Sequence, residues 1–256
     1  MKVSIVTVSY NCVETLSRAM DSVLQQTYQE IEYVVVDGGS TDGTTDIIRL
    51  YEPKFEGRMR WISEPDKGIY DAMNKGITMT TGHLVGILNA DDFLTTNKVI
   101  ERMAAEYAKD KKLQLTYGDV HFVRANRLEK NIRNYTGRFF RPWMIRFGFF
   151  PPHPSIYVRR ELYEQYGMYD DTMRIAADYE FFANLVHHHH VNMKYIPMDF
   201  VTMLTGGEST KNLKQRELGT KEDMVACKRL GIKTNWLFIR MKYLFKAIDA
   251  VIPVFR

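Results

Sequence analysis

Two adjacent carboxylates at the end of a short apolar segment are the first residues of this sequence that could do chemistry. Asn89-Ala90-Asp91-Asp92 follows the apolar run Leu84–Leu88. Two carboxylates held together in a desolvated site need a compensating cation, and a divalent ion with oxygen ligands is the natural choice. The same tetrapeptide could instead form a solvated turn or cap a helix beginning at Asn97. Taken alone, it is a weak indication of a metal site.

A second polar segment follows another short apolar run. Asp37-Gly38-Gly39-Ser40-Thr41-Asp42-Gly43-Thr44 comes directly after Tyr33–Val36. Its glycines allow close approach of the backbone to a ligand, and its Ser, Thr and Asp side chains can cap a helix. A carboxylate here could accept hydrogen bonds from a nucleobase or a ribose, although a purely structural turn is the alternative. The glycine fingerprint of nicotinamide and flavin proteins and the GxxxxGKS/T phosphate loop are both absent.

The elements that must position these residues alternate regularly in the first 110 residues. We predict strands at residues 3–10, 32–36, Arg60–Ser63 and Leu84–Leu88, and helices at Val13–Thr27, Thr44–Tyr51, Ile69–Thr78 and Asn97–Lys109. The strands are too apolar to have one wet face, which predicts an α/β fold with a mostly parallel sheet between helices. Ligands of such sheets bind beyond the C-terminal ends of the strands, where Asp37, Asp91 and Asp92 fall.

The alternation is less regular from about residue 113. We predict strands at Gln114–Tyr117, Val120–Arg124 and Ser155–Val158, an aromatic and proline-rich loop at Arg138–Pro154, and helices at Arg160–Tyr166 and Ala177–Val186. No internal repeat is present. We therefore interpret this half as part of the same domain.

Composition limits the class of protein. The 256 residues are 45% apolar and 26% charged, which suits one well-buried domain or slightly more and excludes disorder. Cys12 and Cys227 are too few for a disulfide scaffold and fit a reducing compartment, so we expect a cytoplasmic protein. The first residues, MKVSIVTVSYN, are too polar for a signal peptide, and no apolar window is long enough to cross a membrane.

The C-terminal residues differ in charge from the rest of the chain. Residues 211–256 hold 11 Lys and Arg against 4 Asp and Glu, which gives this segment a net charge of +7. On a helical wheel of Asn235–Ile252, Lys242 and Lys246 share one side and large apolar residues fill most of the rest. This pattern predicts a helix lying on an anionic membrane surface, or one packed on the domain or on a second subunit. A nucleic-acid partner is disfavoured because no binding motif occurs.

Several motifs together resemble a known family. They are TVSYN (Thr7–Asn11), DGGSTDGT (Asp37–Thr44), SEPDKGIYDAMNKGI (Ser63–Ile77), NADD (Asn89–Asp92) and AADYEFF (Ala176–Phe182). In order and spacing they resemble the family-2 inverting glycosyltransferases, and among these the bacterial enzymes of O-antigen and capsular polysaccharide assembly. The resemblance covers roughly residues 1–210, so we expect a catalytic domain there and a helical extension at 211–256. It implies the glycosyltransferase A-type fold, with a nucleotide-binding sheet joined to a smaller mixed, acceptor-side sheet.

The resemblance also implies a donor site. Thr7, Tyr10, Asp37, Asp66 and Lys67 would surround the nucleobase and ribose of a nucleotide-sugar, most simply a UDP-sugar. Asp91 would face the ribose and the metal, and Asp92 would bind the Mn²⁺ or Mg²⁺ that bridges the diphosphate. NADD stands where the family has its Asp-X-Asp motif, with Asn at the first position.

An inverting transfer needs a base that takes the proton of the acceptor hydroxyl. By position, Asp178 matches the family's catalytic Asp at the start of a helix, although Ala177 replaces the Glu that commonly precedes it. Glu180 is a less suitable alternative because it points to another side of the helix. A helix-capping role for Asp178 is the structural alternative.

Three further features lie outside the donor site and the base. His153 stands where the family has acceptor-side residues. The glycine-rich segment Gly206–Thr210 could close over the diphosphate once the donor binds, or form an ordinary surface turn. The run His187–His190 is expected to be a solvated helix end, since successive helical residues cannot converge on one metal ion.

The resemblance thus implies sugar transfer to a hydroxyl of a lipid-linked oligosaccharide at the inner face of a bacterial membrane. A homo-oligomer is compatible with the sequence. A sugar nucleotidyltransferase and a non-catalytic nucleotide-sugar-binding scaffold are the alternatives.

Overall fold

The first half of the chain forms four parallel strands with helices packed against them. The computed structural model describes residues 1–206 and 213–249. The strands are β1 (Val3–Ser9), β2 (Ile31–Asp37), β3 (Met59–Ser63) and β4 (Leu84–Ile87), and the helices between them are α1 (Leu16–Leu24), α2 (Thr44–Tyr51) and α3 (Ile69–Met79). β1 lies between β2 and β4, and β3 pairs with β2. Every residue of β1, β2 and β4 is buried, as expected for strands covered by helices on both faces.

The second half extends the same sheet. Its strands are β5 (Phe93–Leu94), β6 (Leu115–Val123), β7 (Arg133–Tyr135), β8 (Tyr157–Arg159) and β9 (Met193–Leu204). Its helices are α4 (Val99–Lys109), α5 (Arg160–Tyr166), α6 (Ala177–His187), α7 (Leu213–Arg229) and α8 (Trp236–Asp249). The strand order is β3-β2-β1-β4-β8-β6-β9-β5, with β7 paired to β6. The α/β fold is confirmed, and the two expected sheets are the parallel and mixed halves of one sheet.

One prediction about the second half is wrong. The two strands expected at Gln114–Tyr117 and Val120–Arg124 are the single strand β6. Gly118 and Asp119 resemble a turn in sequence, but they form an irregularity in the pairing of β6 with β9. A Cβ atom on Gly118 would lie 2.5 Å from the Phe200 ring, so glycine here permits close packing of the two strands.

Two long elements, β9 and α7, are absent from the sequence predictions. α7 is mostly polar and has no apolar stripe that would mark it as a helix. It packs against α6, and the carboxylate of Glu222 accepts hydrogen bonds from the backbone N–H groups of Ile175 (2.8 Å) and Ala176 (2.9 Å). The division at residue 210 stays a prediction. Of the helices in the described ranges, none has the length and apolar character needed to cross a membrane.

Candidate functional site

The C-terminal ends of β1 to β4 lie along one edge of the sheet because these strands are parallel. Tyr10 follows β1, Asp37 ends β2, Asp66 follows β3, and Asn89–Asp92 follows β4. The structure therefore brings the segments of four sequence motifs to one edge, where parallel sheets bind ligands.

Asp37 organises the loop at this edge. Its carboxylate accepts hydrogen bonds from the hydroxyls of Ser9 (3.1 Å) and Ser63 (2.7 Å) and from the backbone N–H of Gly39 (3.1 Å). The hydroxyl and N–H of Ser40 also donate to it. Burial alone would raise the pKa of Asp37, but these hydrogen bonds outweigh burial and lower it. Asp37 is a fully buried, ionised hub that links β1, β2 and β3.

Tyr10, Gly38 and Asp66 meet at the surface beside Asp37. Tyr10 is 66% exposed. A Cβ atom on Gly38 would lie 2.3 Å from Asp66 Oδ2 and 3.4 Å from the Tyr10 ring, so the absent side chain leaves the space that the Asp66 carboxylate occupies. The other oxygen of Asp66 accepts the Gly68 N–H (2.8 Å). The result is an exposed aromatic ring beside a fixed carboxylate, which suits a planar ligand with hydrogen-bond donors.

Two other residues of the expected donor site, Thr7 and Lys67, do not join this group at the surface. Thr7 is fully buried, and its hydroxyl is 3.0 Å from that of Tyr33. The structure thus does not bring Thr7 to the open edge; it lies in the core below it. Lys67 is exposed, and its backbone N–H donates to Asp71 (3.0 Å), which fixes the loop at the start of α3.

The acid pair after β4 is strained electrostatically. Asp92 is 2% exposed, and burial together with the charge of Asp91 raises its pKa well above the usual range. Hydrogen bonds from the Asn89 amide (2.9 Å) and the Leu204 N–H only partly offset this. Burial also raises the pKa of Asp91. At neutral pH, two ionised groups here need a positive partner.

The acid pair fits a divalent cation. Asn89 Oδ1 is buried with no hydrogen-bond partner in the described structure, and the nitrogen of the same amide donates to Asp92, so the side chain next to the acid pair carries an unsatisfied oxygen. Oxygen donors of this kind suit Mg²⁺ or Mn²⁺. The part of the chain that the structure describes contains no group of three or more His, Cys, Asp or Glu side chains placed to hold a metal ion. The remaining ligands would therefore have to come from a bound phosphate or from water.

Asp178 lies in the first turn of α6 and contacts α3. The Tyr70 hydroxyl donates a hydrogen bond to Asp178 Oδ1 (2.9 Å). Burial and the charge of Asp178 raise the pKa of Tyr70 well above its usual value, so the phenol keeps its proton and acts as the donor. Within the described residues, no hydrogen bond to Asp178 Oδ2 is present, which leaves that oxygen available to a ligand.

His153 lies behind Asp178 and lines the same small internal gap. Its Nε2 is 3.0 Å from the Tyr169 hydroxyl. Burial lowers the pKa of His153, although the charge of Asp178 opposes the shift. The structure thus brings His153 and Asp178 together, with the imidazole neutral at pH 7.

The remaining candidates lie elsewhere. Glu180 forms an ion pair with Arg229 (3.2 Å), away from Tyr70. His187 ends α6, and the side chains of His187–His190 are exposed. Of the segment Gly206–Thr210, only Gly206 is among the described residues.

Three residues of the site have roles that sequence reasoning missed: Tyr70, Gly38 and Asn89. All three stand inside quoted motifs, but the sequence does not show which side chains they contact. A tyrosine in an amphipathic helix is indistinguishable from a core residue, and the use of Gly38 depends on the position of Asp66.

Comparison with known proteins gives the chain its family. A family model described as "Glycosyl transferase family 2" matches residues 4–167. A PGL/p-HBAD biosynthesis glycosyltransferase of Mycobacterium bovis is 33% identical over 178 residues, which cover 70% of this chain and 67% of that protein. An uncharacterized glycosyltransferase of Mycobacterium tuberculosis is 34% identical over 182 residues, covering 70% of this chain and 66% of the relative.

Two solved structures share the fold. S. aureus TarS in complex with UDP-GlcNAc has a TM-score of 0.69 at 16% identity, over 95% of this chain and 72% of that one. The mannosyltransferase PcManGT of Pyrobaculum calidifontis, in complex with GDP-Man and Mn²⁺, has a TM-score of 0.65 at 16% identity, over 99% and 76%. The family match runs from β1 to α5 and includes each segment at the strand ends. This chain therefore belongs to glycosyl transferase family 2 and is a glycosyltransferase with the glycosyltransferase A-type fold.

Proposed function

We propose that this enzyme transfers a sugar, with inversion, from a UDP-sugar to a hydroxyl of a lipid-linked oligosaccharide in bacterial surface polysaccharide synthesis, at the inner face of the membrane. The observation on which this rests most is Asp178, a carboxylate held through one oxygen by Tyr70. Inversion in one step needs a base on the acceptor side and no covalent enzyme intermediate. Asp178 Oδ2 would accept the acceptor's proton as the hydroxyl attacks the anomeric carbon.

The donor would lie across the strand ends. The exposed Tyr10 ring would stack on the nucleobase, and Asp66 would accept a hydrogen bond from the base or the ribose. Structural neighbours are solved with UDP-GlcNAc and with GDP-Man, which supports a nucleotide-sugar at this edge. We choose UDP as the nucleotide to test first.

Asp92 and Asp91, together with Asn89 Oδ1, would hold a divalent cation beside the diphosphate. When bound, such an ion neutralises the charge that grows on the leaving nucleoside diphosphate. The raised pKa values of both acids and the unpartnered amide oxygen support this assignment.

Nucleotide titration by calorimetry, followed by transfer assays, tests the proposal. UDP, GDP, CMP and dTDP are each titrated with Mn²⁺ and with EDTA, and UDP-sugars are then assayed with a lipid-linked acceptor. We expect metal-dependent UDP binding and a product of inverted anomeric configuration. Binding without turnover on any acceptor would favour a non-catalytic scaffold, and a retained configuration would exclude Asp178 as the base of a direct displacement.

Gly38→Ala is expected to weaken UDP binding about tenfold. The added methyl group would displace the Asp66 carboxylate, whereas the φ angle of Gly38 is not among the positive ones, so the backbone tolerates alanine. Calorimetry on Gly38→Ala, Asp66→Ala and the double variant checks this. If Gly38→Ala and Asp66→Ala disturb the same contact, the double variant should bind UDP no more weakly than whichever single variant has the lower affinity. Additive losses would separate Gly38 from Asp66.

Tyr70→Phe is expected to lower kcat about tenfold without changing the KM for the donor, because one hydrogen bond that orients the base is lost. Tyr163→Phe is the matched control, since it removes a buried hydroxyl that contacts Tyr169 and not Asp178. Equal losses of kcat in Tyr70→Phe and Tyr163→Phe, or a rise in the KM for the donor in Tyr70→Phe, would contradict a positioning role.

The start of α8 would dock on the anionic membrane. Trp236 is 52% exposed, and Trp143, from the short helix Pro142–Phe147 that packs on α8, is 59% exposed. Arg240 stacks on Trp236 at 4.2 Å. Exposed tryptophans beside arginines suit the headgroup region of a bilayer.

Flotation with vesicles tests this docking. The double variant Trp143→Ala/Trp236→Ala should lose most of its binding to vesicles that contain phosphatidylglycerol, while UDP binding persists. A change from dimer to monomer with unchanged vesicle binding would assign the surface to a second subunit instead.

A further inference from the structure

A basic cavity lies between the N-terminal part of α7 and α8. Its volume is about 400 Å³, and its lining residues are Leu213, Arg216, Glu217, Arg240 and Tyr243. Arg133 lies outside this lining, on the neighbouring strand β7, which α8 contacts. Burial lowers the pKa of Arg133, and the charge of Arg216 lowers it further. Two arginines, Arg216 and Arg240, thus line the cavity.

Their charges are not balanced by carboxylates in the part of the chain that the structure describes. Arg240 stacks on Trp236, and Arg133 stacks on the Phe122 ring at 3.9 Å; neither forms an ion pair there, and nor does Arg216. Glu217, the acid in the lining, is paired with Lys221 at 3.1 Å. Clustered guanidinium groups repel one another unless an anion joins them, and their planar donors match a phosphate group well.

The rim of the cavity indicates what kind of phosphate it would take. Leu213, in the lining, is 79% exposed, and Trp236, on which the lining residue Arg240 stacks, is 52% exposed. A free phosphate gains nothing from apolar side chains around its site. A phosphate attached to a hydrocarbon chain uses both kinds of side chain, since the hydrocarbon covers Leu213 and Trp236 while the arginines hold the headgroup.

The cavity is connected to the proposed base through α7. Arg216 and Glu222 are six residues apart on this helix, a rise of about 9 Å. Glu222 accepts the backbone N–H of Ala176, two residues before Asp178. An occupant of the cavity is therefore held on the same rigid helix that fixes the start of α6.

We propose that this cavity binds the phosphate or diphosphate that joins the lipid to the sugar of the acceptor, with Arg216 and Arg240 as direct ligands and Arg133 adding positive potential. This inference rests on the proposed function, because it assigns the acceptor subsite of the same reaction. It also separates two tasks of the C-terminal helices: exposed aromatics hold the enzyme at the membrane, and the cavity selects one phosphorylated lipid there.

Vesicle binding tests the cavity without relying on turnover. The probe is hexadecyl phosphate in neutral phosphatidylcholine vesicles, compared with phosphatidylglycerol vesicles of equal charge. Arg216→Gln/Arg240→Gln should weaken binding to the hexadecyl phosphate vesicles at least tenfold. Lys228→Gln/Lys233→Gln removes the same charge from exposed positions outside the cavity and should reduce binding to both kinds of vesicle only slightly.

The other results would overturn the proposal. If both double variants lost the same affinity for hexadecyl phosphate vesicles, the binding would be due to general surface charge and not to the cavity. Full competition by inorganic pyrophosphate, with no gain in affinity from the lipid chain, would make it a site for a free anion. UDP calorimetry on each variant keeps the two hypotheses distinguishable. If the wild type does not bind UDP, the proposed donor site is refuted. If it binds UDP but shows no preference for vesicles with hexadecyl phosphate, only the proposed role of the cavity is refuted.

Discussion

Asp178→Asn is expected to lower kcat about a thousandfold, within the range for loss of a general base. The asparagine Oδ1 can still accept the hydrogen bond from Tyr70, so the start of α6 should keep its position. What is lost is the capacity of the other side-chain atom to take a proton. UDP affinity should not change, because Asp178 contacts α3 and not the acid pair after β4. Initial-rate kinetics with calorimetry on the same preparation measures both quantities.

Glu180→Gln is the matched control for this prediction. It makes the same acid-to-amide change on the same helix, two residues further on, where the carboxylate is paired with Arg229. Its kcat should stay within about twofold of the wild type, since this partly exposed ion pair lies away from Tyr70 and contributes little. If Glu180→Gln proved as damaging as Asp178→Asn, the assignment of the base would be wrong. Full activity of Asp178→Asn would refute it directly.

The parallel half of the sheet was predictable from sequence, and the reason is visible in β1 and β2. Both are runs of buried apolar residues that end in a polar loop, and α2 was predicted with its observed bounds. The second half was less predictable. β9 contains Pro197 and alternates irregularly, because it pairs through a bulge with β6. Its position depends on long-range pairing that no local pattern records.

The sequence was enough to predict which carboxylates lie in the candidate site, but not what each of them contacts. Asp37 and Asp66 are both acids at strand ends, yet only the structure shows that Asp37 is enclosed by hydrogen bonds while Asp66 lies beside exposed Tyr10. The hydrogen bond between Tyr70 and Asp178 joins residues 108 positions apart. Which acid is free to meet a ligand is decided by such tertiary contacts.

Asp92→Asn is expected to lower activity about 10²–10³-fold. The same change is expected to raise the thermal stability of the metal-free protein. The pKa of Asp92 is higher in the folded than in the unfolded chain. A group of this kind stabilises the fold at pH values below its unfolded pKa, and this contribution is lost as the pH rises through the folded pKa. At pH 7.5 the buried acid therefore costs stability, and the neutral amide removes that cost.

The neighbouring amide can adapt to this change. If the Asn89 side chain turns over, its unpartnered Oδ1 can accept a hydrogen bond from the new amide at position 92. We expect a rise in melting temperature of roughly 2–4 °C, the equivalent of about 1 kcal/mol for a chain of this size. Thermal unfolding in EDTA from pH 5 to 8 checks the sign, since the advantage of the variant should grow with pH.

Added Mn²⁺ should separate the two proteins further. A cation that binds only the folded state raises its stability, so the wild type should gain melting temperature with Mn²⁺ and Asp92→Asn should not. Asp42→Asn is the control of opposite sign: hydrogen bonds from Thr44 lower the pKa of Asp42, and replacing this acid should give no stabilisation at any pH. If Asp92→Asn were destabilising across the range, or gained as much from Mn²⁺ as the wild type, the acid pair would be a structural cap and not a metal site.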